Sequence, residues 1–284
     1  MAKTYAPTRR RSPHRRGSWT KRMDLSRTAR AIGLVVALLA MFGGIAAWTA
    51  HDAQIAYADE RDEHLCLLHA AAPQKDLLLL DETDPLAKDS GKRFENIMQD
   101  VTSNLPRNAR LTVVPFGGDL GQAPVSIFDF CSPGRGAEAK QWSEGKIQVQ
   151  ATYNQQFGAP LAQAQNTIRD SHSSNASPIV EQIERVMGDP SIAFRGDHRT
   201  LIVMTDGLQN TATSLVYADG HVTLPPAPAG LLKGVDVHYV ELASEAHPEL
   251  QQPSVRSAWL AWFRAAGARS VRMSAPGYSG EAES

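Results

Sequence analysis

The sequence predicts an α/β protein with an open, mostly parallel, doubly wound sheet flanked by helices, preceded by a single transmembrane helix. Three observations lead there. Residues 31–50 (AIGLVVALLAMFGGIAAWTA) carry no charge. Beyond them, short continuous apolar runs such as Leu77–Leu80 alternate with longer stretches whose apolar residues recur every three or four positions. That alternation marks buried parallel strands followed by amphipathic helices. The apolar runs also end abruptly in acids and hydroxyls, as in LLLLDETDPL at 77–86 and LIVMTDG at 201–207.

With 284 residues, 42% of them hydrophobic, the chain has enough material for one substantial core with appendages. Its formal net charge of -1 hides an asymmetry. Residues 1–30 hold ten of the 29 Lys and Arg but only one acid, Asp24, so the remainder has an excess of ten acids. A basic leader next to an apolar stretch reads as a topology signal and lipid contact rather than a nucleic-acid tail. Residues 1–30 are therefore expected to be cytoplasmic.

Twenty uncharged residues at about 1.5 Å per residue span the roughly 30 Å hydrocarbon core of a bilayer, so 31–50 is expected to be a membrane helix with Trp48 at an interface. The basic side stays in the cytoplasm, which puts everything after Ala50 across a bacterial inner membrane, in the periplasm or outside. The competing reading is a cleaved signal peptide ending at Ala56-Tyr57-Ala58, but the apolar region of such peptides is only about 7–15 residues long.

Residues 51–74 read as a polar linker. Cys66 and Cys131 are the only cysteines. On the oxidising side of the membrane they could pair, and two buried thiols are the alternative. Without a CxxC or Cys/His cluster, a structural zinc site is not expected.

The domain is expected over 75–275. Leu77–Leu80 is its first strand, and Lys92–Leu105 its first helix, with Phe94, Ile97, Met98, Val101 and Leu105 on one face. Arg110–Phe116 and Val125–Cys131 read as a hairpin pair across a Gly-rich turn. Residues 132–150 show no clean period, Tyr153–Ile168 reads as helical, and Pro178 opens a helix over Ile179–Met187. Strands follow at Thr200–Met204 and Val235–Leu242, separated by the proline-rich loop TLPPAPAG. Val255–Ala266 is the last helix, capped by Gly267, with Trp259, Trp262 and Phe263 as a core stripe. Arg269–Met273 is a final strand and 276–284 a flexible tail.

Ligands of open α/β sheets sit beyond the carboxyl ends of the strands. Here those ends carry oxygen ligands: Asp81 with Thr83 and Asp84, then Ser177, then Asp206. Hydroxyls and carboxylates without His or Cys suit a hard cation. Mg2+ is the expected ion, with Mn2+ or Ca2+ as alternatives.

These residues resemble the von Willebrand factor type A domain and its metal ion-dependent adhesion site. Asp81-Glu82-Thr83-Asp84-Pro85 is similar to the family's Asp-x-Ser-x-Ser motif at Asp81 and Thr83, but Pro85 replaces the last hydroxyl. Ser177 before Pro178 resembles the second motif, and Thr205-Asp206-Gly207 the third. The resemblance covers about residues 75–275. It implies a binding or assembly protein whose cation cluster of Asp81, Thr83, Ser177 and Asp206, with Asp84 as a direct or water-mediated ligand, is completed by a protein partner's carboxylate. It implies no catalysis.

Two rivals come from other classes. One is a metal-independent scaffold with a vestigial site. The other is a haloacid dehalogenase-like phosphatase with Asp81 as nucleophile; it lacks a lysine between Ser177 and Asp206, where only Arg185, Arg195 and Arg199 lie. No phosphate-binding loop or G-x-S-x-G elbow is present. His172, His198 and His238 read as solvated or packed residues rather than ligands.

Overall fold

The computed structural model describes residues 20–83, 88–140, 144–169, 176–192, 194–212, 214–218, 221–244, 246–275 and 278–280. The chain divides into two units between Tyr57 and Ala58.

The described residues of the first unit form helix α1 (Thr20–Ala58). Within it Ile32–Ile55, with a mean hydropathy of 2.1, is long and apolar enough to cross a membrane. Leu39, Phe42 and Trp48 are exposed on its surface. The helix does not stop at Ala50. The sequence HDAQIAYA contains no Gly or Pro to end it, so the first part of the expected linker continues the helix.

The second unit is a seven-stranded sheet in the order β3-β2-β1-β4-β7-β8-β9. Its strands are β1 (Lys75–Asp81), β2 (Arg110–Phe116), β3 (Phe128–Cys131), β4 (Arg199–Thr205), β7 (Val235–Glu241), β8 (Ser270–Ala275) and β9 (Tyr278–Gly280). A separate two-stranded ribbon joins β5 (Tyr217–Ala218) to β6 (His221–Val222). The central pairs β1–β2, β1–β4, β4–β7 and β7–β8 are parallel. The two outer pairs, β2–β3 and β8–β9, are antiparallel. β9 corrects the expected tail: part of 276–284 closes one edge of the sheet.

The unbroken leucine run of β1 has a simple cause, because both faces of the strand are covered. Leu77 and Leu79 enter one core with Ile179, Val180 and Ile183 of α5 (Ile179–Gly188) and Trp259 and Phe263 of α6 (Pro253–Ala265). Leu78 and Leu80 enter the other with Phe94 and Met98 of α2 (Lys88–Asn104). That second core also takes Phe157 and, from α4 (Ala159–Arg169), Leu161.

Helix α3 (Lys146–Tyr153) begins earlier than the periodicity placed it. None of its side chains is fully buried and only Tyr153 packs against the core, so no apolar stripe announces it. It runs into α4 through a π turn at Asn154–Gly158. Pro160 follows directly: lacking an N–H and crowding the carbonyl one turn back, it interrupts the regular α ladder. The C-terminus of α6 has a complete Schellman arrangement. Gly267 (φ 88°) donates to the Arg264 carbonyl at 3.0 Å and Ala268 to the Phe263 carbonyl at 3.1 Å.

Within the stretch 59–74, residues 61–67 fold back on themselves, with Arg61 and Leu67 joined by an antiparallel bridge. Asp62 Oδ1 accepts from the His64 and Cys66 amides at 2.9 and 2.8 Å. Arg61 donates to the Leu65 carbonyl and to Asn108 Oδ1. The Cys131 amide donates to the His64 carbonyl at 2.8 Å, and Cys66 and Cys131 are joined as a disulfide. The segment that leaves α1 is thereby fastened to β3.

Candidate functional site

Asp81 is the last residue of β1, and its carboxylate is 5% exposed. Four donors from three parts of the chain converge on it. Thr83 supplies its amide (3.0 Å) and its hydroxyl (2.6 Å) to Oδ1. Ser177 Oγ (3.1 Å) and Thr205 Oγ1 (2.7 Å) donate to Oδ2. Burial pushes the Asp81 carboxyl up, against the opposing pull of the Thr205, Thr83 and Ser177 bonds. Next to it, Glu82 is half-buried, and burial together with the Asp81 charge raises its carboxyl to about 7.

Each partner is held by a distinct device. Thr205 ends β4 and also accepts from the Gly207 amide at 3.0 Å, which ties the strand end to the following turn. Ser177 is carried by an antiparallel bridge to Asn210: its amide donates to the Asn210 carbonyl (2.7 Å), and the Asn210 amide returns the bond (2.9 Å). Gln209 joins the same two segments. Its Oε1 accepts from the Val180 amide in the first turn of α5, and its Nε2 donates to Glu181. Gln209 thus does the capping that Pro178 cannot, since Pro178 stands just before the helix with no side-chain cap.

Asp206 lies on the same turn, half-buried, with Oδ1 accepting from the Leu208 amide at 2.9 Å. Its own carbonyl accepts from Gln251 Nε2, which also donates to the Leu242 carbonyl, so Gln251 links the ends of β4 and β7. Gly207 turns the chain at φ 78°, and its carbonyl accepts from Trp259 Nε1 at 2.9 Å.

Thr83, Ser177 and Asp206 line a cleft of about 460 Å³, together with Leu215, Tyr217 and His247. The hydroxyl protons of Thr83 and Ser177 are committed to Asp81, which leaves their oxygen lone pairs free to act as acceptors. Of the expected cluster, the structure brings Asp81, Thr83 and Ser177 into direct contact and places Asp206 on the wall of the same cleft. Asp84 and Pro85 lie outside the described residues, as does His172. Among the described residues no three His, Cys, Asp or Glu side chains form a metal-binding group.

Thr205 and Gln209 were not among the expected site residues. Thr205 had a signal in the sequence: it is the first polar side chain after the buried run of β4. Gln209 had none, because its partners are 28 and 29 residues away. His238, read as packed, is buried between β4 and β8, with Nε2 3.0 Å from Ser274 Oγ and Arg272 donating to Nδ1 at 2.9 Å.

No family model and no curated protein matches this chain. Among solved structures it is similar to the conserved hypothetical protein BatB from Bacteroides thetaiotaomicron. The TM-score is 0.29 and the identity 12%, over 59% of this chain and 66% of that one.

Proposed function

We propose that this chain is a membrane-anchored binding protein whose doubly wound, von Willebrand type A-like domain engages a protein partner at the carboxyl ends of its strands. The observation that carries this reading is the convergence of Thr83, Ser177 and Thr205 on the buried Asp81 carboxylate, beside Asp206 and an open cleft. Such an arrangement binds rather than cuts. Asp81 is buried with both oxygens occupied, so it is not presented to a substrate as a nucleophile would be.

The donor set fits a hard divalent cation, Mg2+ foremost. Thr83 and Ser177 would offer neutral hydroxyl oxygens, Asp206 a carboxylate, and Asp81 the charge behind them. The cation would supply an attachment point for a carboxylate of the partner. The domain would lie on the periplasmic side of a bacterial inner membrane. The basic leader supports that orientation, as does the disulfide, which persists in an oxidising compartment.

A second reading has one observation in its favour. Asp81 is already satisfied by four internal donors, so the strand ends are held together without a cation and could serve a metal-independent scaffold. Partner capture by the full-length protein separates the two. The cation reading predicts capture that is lost on chelation and in Asp206→Ala; the scaffold reading predicts capture unaffected by either.

A further inference from the structure

Tyr239 has a polar atom that the fold does not use. It lies in β7 opposite Val203 of β4 and Met273 of β8 and is fully buried. Its ring stacks on Trp259 and tilts against Phe263, with centroids 5.9 Å apart in each case. These contacts need only the ring, and a phenylalanine would make them equally well. The hydroxyl has no hydrogen-bond partner among the described residues. A buried orphan of this kind destabilises a fold, so it calls for an account.

The hydroxyl is directed at the turn that carries Asp206. A Cβ built on Gly207 would fall 2.2 Å from it. The neighbouring polar groups are already engaged: Trp259 Nε1 donates to the Gly207 carbonyl, and Asp81 accepts four bonds. Burial pushes the phenol well above its ordinary range, and the charges of Glu241, Asp206 and Asp81 push it the same way. The group is thus a fixed O–H donor without an acceptor among the described residues.

We propose that Tyr239 is a positioning residue of the strand-end site, whose hydroxyl gains an oxygen acceptor on the Asp206 side of the turn when a divalent cation is held. This inference rests on the cation reading above. It gives the unpaired hydroxyl a role: with a cation held by Thr83, Ser177 and Asp206, the hydroxyl would donate to an oxygen of the Asp206 turn and hold that turn in place.

The test uses the full-length protein in detergent, wild type beside Tyr239→Phe, with two readouts: thermal midpoint without divalent ions, and Mg2+ affinity by calorimetry. The expected result is a Mg2+-free midpoint equal to or above that of wild type, with an affinity about tenfold weaker, the factor carried by one hydrogen bond to a charged group. Equal affinity in the two proteins would overturn the inference and leave the cation reading standing. A lower midpoint without Mg2+ would show that the hydroxyl has a structural partner and would also overturn it. If wild type itself binds no Mg2+, the cation reading falls and the inference with it.

Discussion

Gly207→Ala tests the local logic of the site with a single methyl group. At φ 78° the backbone is in the left-handed region, where an L side chain costs about 1–2 kcal/mol. The new Cβ would also lie 2.2 Å from the Tyr239 hydroxyl and 3.2 Å from Trp259 Nε1. Neither ring can retreat easily, since both are fully buried and stacked on each other. Overpacking of this kind costs about 1–3 kcal/mol, and displacing the Trp259 bond to the Gly207 carbonyl adds about 1 kcal/mol. The combined loss is about 3–6 kcal/mol. For a unit spanning Ala58–Ser284 that lowers the thermal midpoint by roughly 6–24 °C. Urea or thermal unfolding of wild type, Gly207→Ala, Tyr239→Phe and the double variant would measure it. The double variant should recover about 1–2 kcal/mol, because the closest clash is with the hydroxyl. A single-variant loss below about 1 kcal/mol, or no recovery in the double, would refute the packing described for this turn.

Three further outcomes are expected. Asp81→Ala leaves the Thr83 amide without an acceptor and forces three hydroxyls to find others, a loss of about 2–4 kcal/mol in denaturant unfolding. Asp81→Asn, which keeps an acceptor oxygen, should lose less than half of that, and equal losses would contradict the account. Removing the disulfide by Cys66→Ser and Cys131→Ser releases a loop with a sequence separation of 65, worth about 4 kcal/mol by chain entropy; a midpoint unchanged by reductant would count against it. The third concerns pH. Burial, then Arg272 and Arg93, lowers the His238 imidazole from 6.5 to about 4. The unfolded chain therefore binds this proton first, and the stability from a neutral His238 is full above about 6.5 and lost as the pH falls toward 4, by about 3 kcal/mol in all. His238→Gln should flatten the stability profile across that window, and an unchanged slope would show that another group sets it.

Much of the architecture was readable because strands buried on both faces leave an unmistakable trace. The runs inside β1 and β4, Leu77–Leu80 and Leu201–Met204, are continuous and apolar and end at Asp81 and Thr205, whereas β7 (VDVHYVE) is interrupted by Asp236 and His238. The antiparallel partner of β2 was readable from its Gly-rich connection, although β3 proved shorter, beginning at Phe128. What was missed shares a cause. No side chain of α3 is fully buried, β9 is three residues long, and 61–67 is held by backbone caps and a disulfide rather than by periodic side chains.

The site divides the same way. Asp81, Thr83 and Ser177 were legible from local motifs at the ends of elements. The groups that set their geometry were not. Gln251 acts across 45 residues to the Asp206 carbonyl, and the bridge between Ser177 and Asn210 joins segments with no pattern in common. Asp206 was legible as a residue but not in its bonding, for it is Thr205 and not Asp206 whose side chain reaches Asp81.

Whether these side chains hold a cation is decided by Mg2+ calorimetry on the full-length protein, with Ser177→Ala and Asp206→Ala alongside. The expected result is one site per chain in wild type, weakened at least tenfold by either substitution. Absence of Mg2+ binding in wild type, or binding that neither substitution weakens, would contradict it.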